Sequence, residues 1–194
     1  MKKTLFFILL IYPFIVFSQN DKFKNQLVYN QLIELDNYSK QKDINIDLKL
    51  NKLFGKIQNS KSDSLKGFYF LILANTLSDQ LKKDEAIVAV SKSNQYYNKA
   101  NNFPGIAKSW MNLGNIYLNR GDHDKALLYY NKALEIAEEK SLQKIMGWVN
   151  KNIGVVFMNQ EKFKEALYYS NKSFKIFTSI DDKKELRCSL IYLI

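Results

Sequence analysis

A unit of forty residues recurs along this chain, and this repeat restricts the possible folds more than any other feature of the sequence. Residues 107–146 are matched by residues 147–186 and, less closely, by residues 67–106. Self-similarity at a fixed period is typical of a solenoid, in which each unit buries its apolar surface only against its neighbours. The clearest correspondences are Leu113-Gly114 with Ile153-Gly154 and Ala126-Leu127 with Ala166-Leu167.

Each unit contains the pattern of two helices. In the middle unit, apolar residues at three- and four-residue spacing predict a helix A from about Pro104 to Asn119. Proline is suited to a first helical turn, and Gly121 can end the helix in a left-handed conformation. Asp122 and Asp124 then place carboxylates at the start of helix B, where unpaired N–H groups favour them.

Small residues stand at regular places among large ones in both predicted helices. Helices that pack closely need small side chains at the crossing, and a glycine inside a helix costs about 1 kcal/mol relative to alanine. We therefore expect Gly114 and Ala126 where helices A and B meet, and Ala133 where helix B meets the next helix A.

The middle unit also follows a known family pattern. The pattern W-x2-L-G-x2-Y followed by A-x3-Y-x2-A is met by Trp110, Leu113, Gly114, Tyr117, Ala126, Tyr130 and Ala133. In these residues the chain resembles the tetratricopeptide repeat, in a longer variant than the usual 34 residues. The resemblance implies an all-α fold, a right-handed α-solenoid of antiparallel helix pairs. It extends the structural signature to Ala74, Ala86, Gly154 and Ala166.

The other copies depart from the family pattern, since Asn150 replaces the tryptophan and Ser170 an aromatic residue. The predicted repeats are residues 67–106, 107–146 and 147–186. Residues 19–66 fit the register poorly and are interpreted as a degenerate helical hairpin that caps the solenoid. Residues 187–194 begin a fourth repeat without its second helix, which favours a chain that continues further; otherwise its apolar residues contact something else.

The N-terminus has the pattern of a secretory signal peptide, predicted to be residues 1–18. Lys2 and Lys3 precede an apolar run of 14 residues that ends before Ser18. This run is shorter than the roughly 20 residues that span a bilayer. We expect export to the periplasm or the extracellular space, with an uncleaved anchor as the alternative. No other membrane contact is expected unless a span follows residue 194.

The basic charge does not indicate a nucleic-acid surface. The chain has 29 basic and 19 acidic residues, a formal charge of +10, but its only arginines are Arg120 and Arg187. Nucleic-acid surfaces use clustered charge and bidentate arginine contacts. The lysines here are scattered among acids, so we interpret them as a solvated surface and expect no nucleic-acid partner.

The sequence contains no recognisable catalytic motif. His123 and Cys188 are the only histidine and cysteine, so neither a disulfide nor a metal site built from several such ligands can form within the chain. Paired carboxylates fall at predicted helix ends, where capping explains them. We therefore expect no enzyme activity, cofactor or metal.

The family resemblance implies a concave groove, lined by the A helices, that binds a protein or peptide. An Asn amide can both donate to and accept from a peptide backbone, a lysine can meet a carboxylate, and Trp148 offers apolar contact. The alternative is that these asparagines simply face water. The candidate groove residues are Asn75, Lys108, Met111, Asn112, Asn115, Asn119, Trp148, Lys151, Asn152 and Asn159.

Two functions remain open at this point. The first is an exported, non-catalytic scaffold that binds a peptide or protein segment in its groove. The alternative is the ligand-sensing N-terminal region of a longer bacterial signalling protein, such as a sensor histidine kinase or a helix-turn-helix regulator. The coding sequence after residue 194 discriminates between them.

Overall fold

The computed structural model describes residues 24–37 and 46–190, and within this part of the chain every regular element is a helix. Helix α1 occupies residues 24–37. The predicted signal peptide and residues 191–194 lie outside the described residues. The remaining helices are α2 Ile46–Gln58, α3 Asp63–Asp79, α4 Lys83–Lys99, α5 Phe103–Leu118, α6 His123–Glu139, α7 Gln143–Asn159, α8 Phe163–Ser179 and α9 Lys183–Leu190.

Seven successive helices, α3 to α9, begin at intervals of twenty residues, from Asp63 to Lys183. Helices α3, α5, α7 and α9 are the A helices, and α4, α6 and α8 are the B helices. Each helix packs against the next, and α5 also contacts α3 and α7. The predicted all-α solenoid of antiparallel helix pairs is confirmed. The A helices begin four residues before the repeat boundaries predicted from the sequence.

One left-handed residue lies in each of the six turns that follow α3 to α8. The N–H of the next residue then donates to a carbonyl five residues back, as Asp122 does to Tyr117 at 3.0 Å. This closure satisfies carbonyls at the helix end. Because one motif closes every turn, the chain reverses in the same way each time. The left-handed residues are Leu81, Asn101, Gly121, Ser141, Glu161 and Asp181.

Side chains cap three of the helices that follow these turns. Asp122 accepts a hydrogen bond from the backbone N–H of Lys125 at 3.1 Å, as expected from the sequence. Hydrogen bonding to the Lys125 side chain holds the pKa of Asp122 below its usual value. The three capping residues are Asn102, Asp122 and Asp182.

Small residues lie where side-chain or backbone atoms of a neighbouring helix come close. A Cβ added to Gly114 of α5 would lie 2.5 Å from the ring of Tyr130 in α6, which is fully buried. One repeat later, a Cβ on Gly154 would lie 3.3 Å from the backbone oxygen of Ala166. The A and B helices of one repeat therefore meet at these positions.

The other signature residues belong to the core or to its margin. Trp110 and Tyr117 are half-buried, and both rings stack on Tyr129, with centroids 5.7 Å and 5.3 Å away. The signature residues that are almost fully buried are Ala74, Ala86, Leu113, Ala126, Tyr130, Ala133 and Ala166.

The two N-terminal helices differ in how far they follow the repeat. The buried residues of α2 lie forty residues before the core positions of α4: they are Ile46, Leu50, Leu53 and Ile57. Helix α1 instead buries Val28 and Leu35, at positions where the later A helices have half-buried side chains. Helix α2 therefore follows the register of the B helices. Helix α1 is rotated about its axis relative to the later A helices, because it buries positions that are half-buried in them.

None of the described helices is both long and apolar enough to cross a membrane.

Candidate functional site

The candidate groove residues lie on the A helices α3, α5 and α7 or at their ends, and several of them bond across neighbouring A helices. Asn112 of α5 donates from Nδ2 to Oδ1 of Asn75 in α3 at 2.6 Å. Asn152 of α7 donates in the same way to Asn115 of α5 at 3.0 Å. We call these four residues the asparagine ladder, and the surface that carries them the A-helix face.

The ladder follows the forty-residue repeat. Its acceptors, Asn75 and Asn115, are forty residues apart, and so are its donors, Asn112 and Asn152. The two bonds therefore join successive A helices at equivalent positions of the repeat.

Asn115 also joins the ladder to a B helix. Its Oδ1 accepts a second hydrogen bond, 2.7 Å long, from the hydroxyl of Tyr130 in α6. Burial raises the pKa of this hydroxyl. Asn115 thus connects α5 to both α6 and α7.

The ladder changes how the asparagines of the groove are interpreted. The sequence assigned them to a ligand, whereas four of them bond to each other and Asn112 is only 9% exposed. An amide has two N–H donors and an accepting oxygen, and each ladder bond uses one such group of each side chain. The ladder therefore holds the helices together and still leaves hydrogen-bonding capacity on every amide.

Lys151 has an intramolecular partner that the sequence analysis did not identify. Its Nζ lies 3.0 Å from Oε2 of Glu185 in α9, and the two side chains are 22% and 15% exposed. The lysine expected to meet a ligand carboxylate thus pairs with the next A helix. The period indicates that α7 and α9 are neighbouring A helices, but it does not reveal which side chains meet.

Trp148 is half-buried and lies close to two lysines. The Nζ atoms of Lys108 and Lys144 are 5.9 Å and 5.3 Å from its ring centroid, so a cation from α5 and one from α7 lie against the ring. Met111 of α5 is half-buried and packs against the same core cluster as Trp148. Lys144 was missed by the sequence analysis because it precedes the predicted boundary of its repeat.

Asn119 and Asn159 lie at the C-terminal ends of α5 and α7, and both are exposed. The backbone carbonyl of Asn119 accepts a 2.6 Å hydrogen bond from Lys83. These two residues are at the end of the A-helix face, outside the ladder.

The described residues contain no group of three or more His, Cys, Asp or Glu side chains that could hold a metal ion. His123 is the first residue of α6. The chemistry of the A-helix face consists of amides, ammonium groups and half-buried apolar side chains, which are suited to noncovalent recognition.

Residues 107–140, which include most of α5 and all of α6, match the sequence profile of the family described as tetratricopeptide repeat. Residues 107–140 thus form a repeat of the tetratricopeptide type, and the helix pairs before and after them recur at the same forty-residue interval. The family recognised in the sequence is thus confirmed, and such tetratricopeptide repeats generally serve as protein-interaction scaffolds. No curated protein sequence matches this chain significantly.

Solved structures share the fold of this tetratricopeptide-type chain at low sequence identity. The apo form of RapI is 14% identical, with a TM-score of 0.69 over 86% of this chain and 61% of RapI. PH0952 from Pyrococcus horikoshii, a signal transduction ATPase with a tetratricopeptide repeat sensor, is 16% identical, with a TM-score of 0.69 over 86% of this chain and 26% of that one. BtubC from P. vanneervenii is 16% identical, with a TM-score of 0.67 over 91% and 78%.

Proposed function

We propose that the A-helix face binds an extended segment of a partner protein. The observation that carries this proposal is the half-buried Trp148 ring with Lys108 and Lys144 against it, next to the asparagine ladder. Tryptophan is enriched among the residues that dominate interface energetics. Lys144 is paired with Asp182, so the charges of Lys108, Lys144 and Asp182 sum to +1, which favours a partner segment that carries carboxylates.

The ladder supports the same proposal through its geometry. Asn75, Asn112, Asn115 and Asn152 place amides at intervals along a face built from three helices. The hydrogen-bonding groups that the ladder bonds do not use on the half-buried Asn75, Asn115 and Asn152 are suited to the N–H and C=O groups of an extended backbone. Recognition of this kind depends little on the partner's sequence, so specificity comes from Trp148 and the two lysines.

We further propose that the protein is exported and acts without catalysis of its own. The basic start and short apolar run of residues 1–18 support export. The absence of a catalytic motif from the sequence supports a binding role. The wild-type protein should leave the cytoplasm and a variant that lacks residues 2–18 should stay there, which fractionation of the expressing cells measures. Cytoplasmic wild-type protein would contradict export, and secretion of the deleted form would contradict the role of residues 1–18.

The groove proposal is tested with peptides selected from a random library on the wild-type protein. Trp148→Ala should weaken the selected peptides at least about tenfold, because it removes the central contact. Tyr168→Ala, at an exposed aromatic of α8 on a B helix, is the matched control and should leave affinity unchanged. Fluorescence anisotropy measures affinity, and circular dichroism checks that each variant stays helical.

Lys108→Gln provides a second measurement, because it leaves the Trp148 ring in place. We expect it to weaken acidic peptides and to reduce the dependence of their affinity on salt. Selected peptides that bind Trp148→Ala and Lys108→Gln as tightly as wild type would place the binding surface elsewhere.

A second candidate function is that of a sensing region in a longer signalling protein. The chain spans 61% of RapI and 26% of PH0952, whose own description names a tetratricopeptide repeat sensor. A membrane span followed by a kinase or DNA-binding module after residue 194 would favour the sensor. Further repeats followed by a stop codon would favour the scaffold.

A further inference from the structure

A cleft of about 360 Å³ lies between α2, α3 and α4, away from the A-helix face. The rings of Phe70 and Tyr96, which stack with centroids 5.6 Å apart and planes 6° from parallel, form part of its lining. A helix turns about 100° per residue. Lys66 and Phe70 therefore project from α3 on the side opposite to Asn75, which belongs to the A-helix face. The cleft and the A-helix face are thus separate surfaces.

Three lysines of this lining surround the pair of rings. The Nζ atoms of Lys66 and Lys99 lie 5.8 Å and 5.6 Å from the Tyr96 centroid, and that of Lys92 lies 5.4 Å from the Phe70 centroid. Among residues 24–37 and 46–190, no carboxylate lines the cleft and none of the three lysines forms an ion pair. Like charges held together repel, and a bound anion relieves that repulsion.

Comparison with the later repeats shows that this cluster of three lysines is not a general feature of the repeat. Lys92 recurs one and two repeats later, so it belongs to the general surface of the B helices. Lys66 and Lys99 have no lysine at the corresponding positions of the later repeats, and one of those positions holds a glutamate. The equivalents are Lys132 and Lys172 for Lys92, Ile106 and Met146 for Lys66, and Glu139 and Ser179 for Lys99. The triple positive charge is therefore specific to this cleft.

We propose that the cleft binds a small organic phosphate. Lysine ammonium groups bind phosphate as point charges, and three of them suit a group with more than one negative charge. Gln58 and Gln95 add amide donors to the lining. The volume exceeds that of a single phosphate group and falls in the range of small-molecule sites, and Phe54 and Ile57 offer apolar contact to the rest of the ligand.

Isothermal titration calorimetry of the full chain with phenyl phosphate, inorganic phosphate and phenol tests the proposal. We expect phenyl phosphate to bind with a dissociation constant of about 1 mM or lower. Inorganic phosphate should bind more weakly, because it lacks the apolar part, and phenol should show no saturable binding. Lys66→Gln combined with Lys99→Gln should weaken phenyl phosphate at least about tenfold.

The matched control combines Lys132→Gln with Lys172→Gln, which removes the same charge from the equivalents of Lys92. It should leave phenyl phosphate binding unchanged. Equal weakening by both pairs would overturn the proposal, because binding would then follow net charge; so would absence of phenyl phosphate binding to the wild type. Circular dichroism of each variant confirms that it is folded, and peptide binding to the A-helix face serves as an independent readout.

Discussion

Glycines on the A helices lie against large side chains of neighbouring B helices. A Cβ on Gly147 would lie 2.6 Å from the ring of Phe177, and one on Gly105 would lie 2.3 Å from the ring of Tyr97. The middle repeat solves the same packing problem with Ala107 and Ala137 at the positions of Gly147 and Phe177, and both are fully buried. A large side chain on the B helix thus goes with glycine at the facing position of the A helix, and a small one goes with alanine.

Gly114 and Tyr130 form such a pair, and its first-repeat equivalent is Ala74 with Val90. Gly114→Ala should lower the free energy of unfolding by about 1–3 kcal/mol, because the new Cβ overlaps the ring. Adding Tyr130→Val reproduces the first-repeat pair, so the double variant should lose less stability than the sum of the two single variants. Urea denaturation of both single variants and the double variant measures the coupling, and additive losses would contradict it.

Backbone strain is the second prediction at the scale of single residues. Leu81 has φ of 64° and is 78% exposed, so its side chain contributes little packing to offset a left-handed conformation that costs about 1–2 kcal/mol. Leu81→Gly should raise the free energy of unfolding by about 0.5–1 kcal/mol after the added chain entropy of glycine. Leu128→Gly, at an exposed position inside α6, is the control and should lower it by about 1 kcal/mol. A loss in thermal melts of Leu81→Gly would show that the turn is not strained.

At the scale of elements, α9 is attached to α7 by two ion pairs. Lys144 Nζ lies 2.7 Å from Asp182 Oδ2, and Lys151 pairs with Glu185. The hydrogen bond to Lys144 lowers the pKa of Asp182, which also accepts a bond from the backbone N–H of Glu185. One carboxylate thus both caps α9 and joins it to the preceding A helix.

The lowered pKa gives the attachment of α9 a defined dependence on pH. The stabilisation by the Asp182 carboxylate is complete above its unfolded pKa, near 3.9, and is lost as pH falls through the lower folded value. Asp182→Asn keeps a capping side chain but removes the charge. At pH 7, hydrogen exchange of the α9 amides should be faster in this variant than in wild type, and the difference should shrink below about pH 4. Asp181→Asn, at the exposed neighbour, is the control; a difference that persists at low pH would contradict the ion-pair account.

At the scale of the whole molecule, the asparagine ladder couples the stability of neighbouring repeats. In a solenoid, stability is close to a sum of terms for each repeat and for each interface, so the bonds between Asn75 and Asn112 and between Asn115 and Asn152 contribute to interface terms.

Asn112→Ala should lower the free energy of unfolding by about 0.5–1.5 kcal/mol, because it removes one intramolecular hydrogen bond. Asn75→Ala in the same background should add little further loss. Asn119→Ala, at the exposed groove asparagine outside the ladder, should change stability by less than about 0.5 kcal/mol. Urea denaturation measures all of these variants, and equal losses from Asn112→Ala and Asn119→Ala would contradict the role of the ladder.

Sequence by itself determined the period, the helix pairs and the helix crossing at Gly114. These follow from local or periodic signals: the small residues Gly114 and Ala126 mark a crossing, and Gly121 and Asp122 end one helix and cap the next. Such signals act within a few residues or recur every forty residues, so they can be recognised without knowing which residues are neighbours in space.

Only the tertiary structure decided what the polar side chains on the A helices do. Leu81 and Glu161 are left-handed because the stack imposes the same turn at every reversal, against their own preference. Asn112 and Lys151, which the sequence assigned to a ligand, bond to Asn75 and Glu185 on adjacent A helices, and their contact with a ligand stays a prediction. Those partners lie 37 and 34 residues away, and only the packing of one repeat on the next brings their side chains within hydrogen-bond distance.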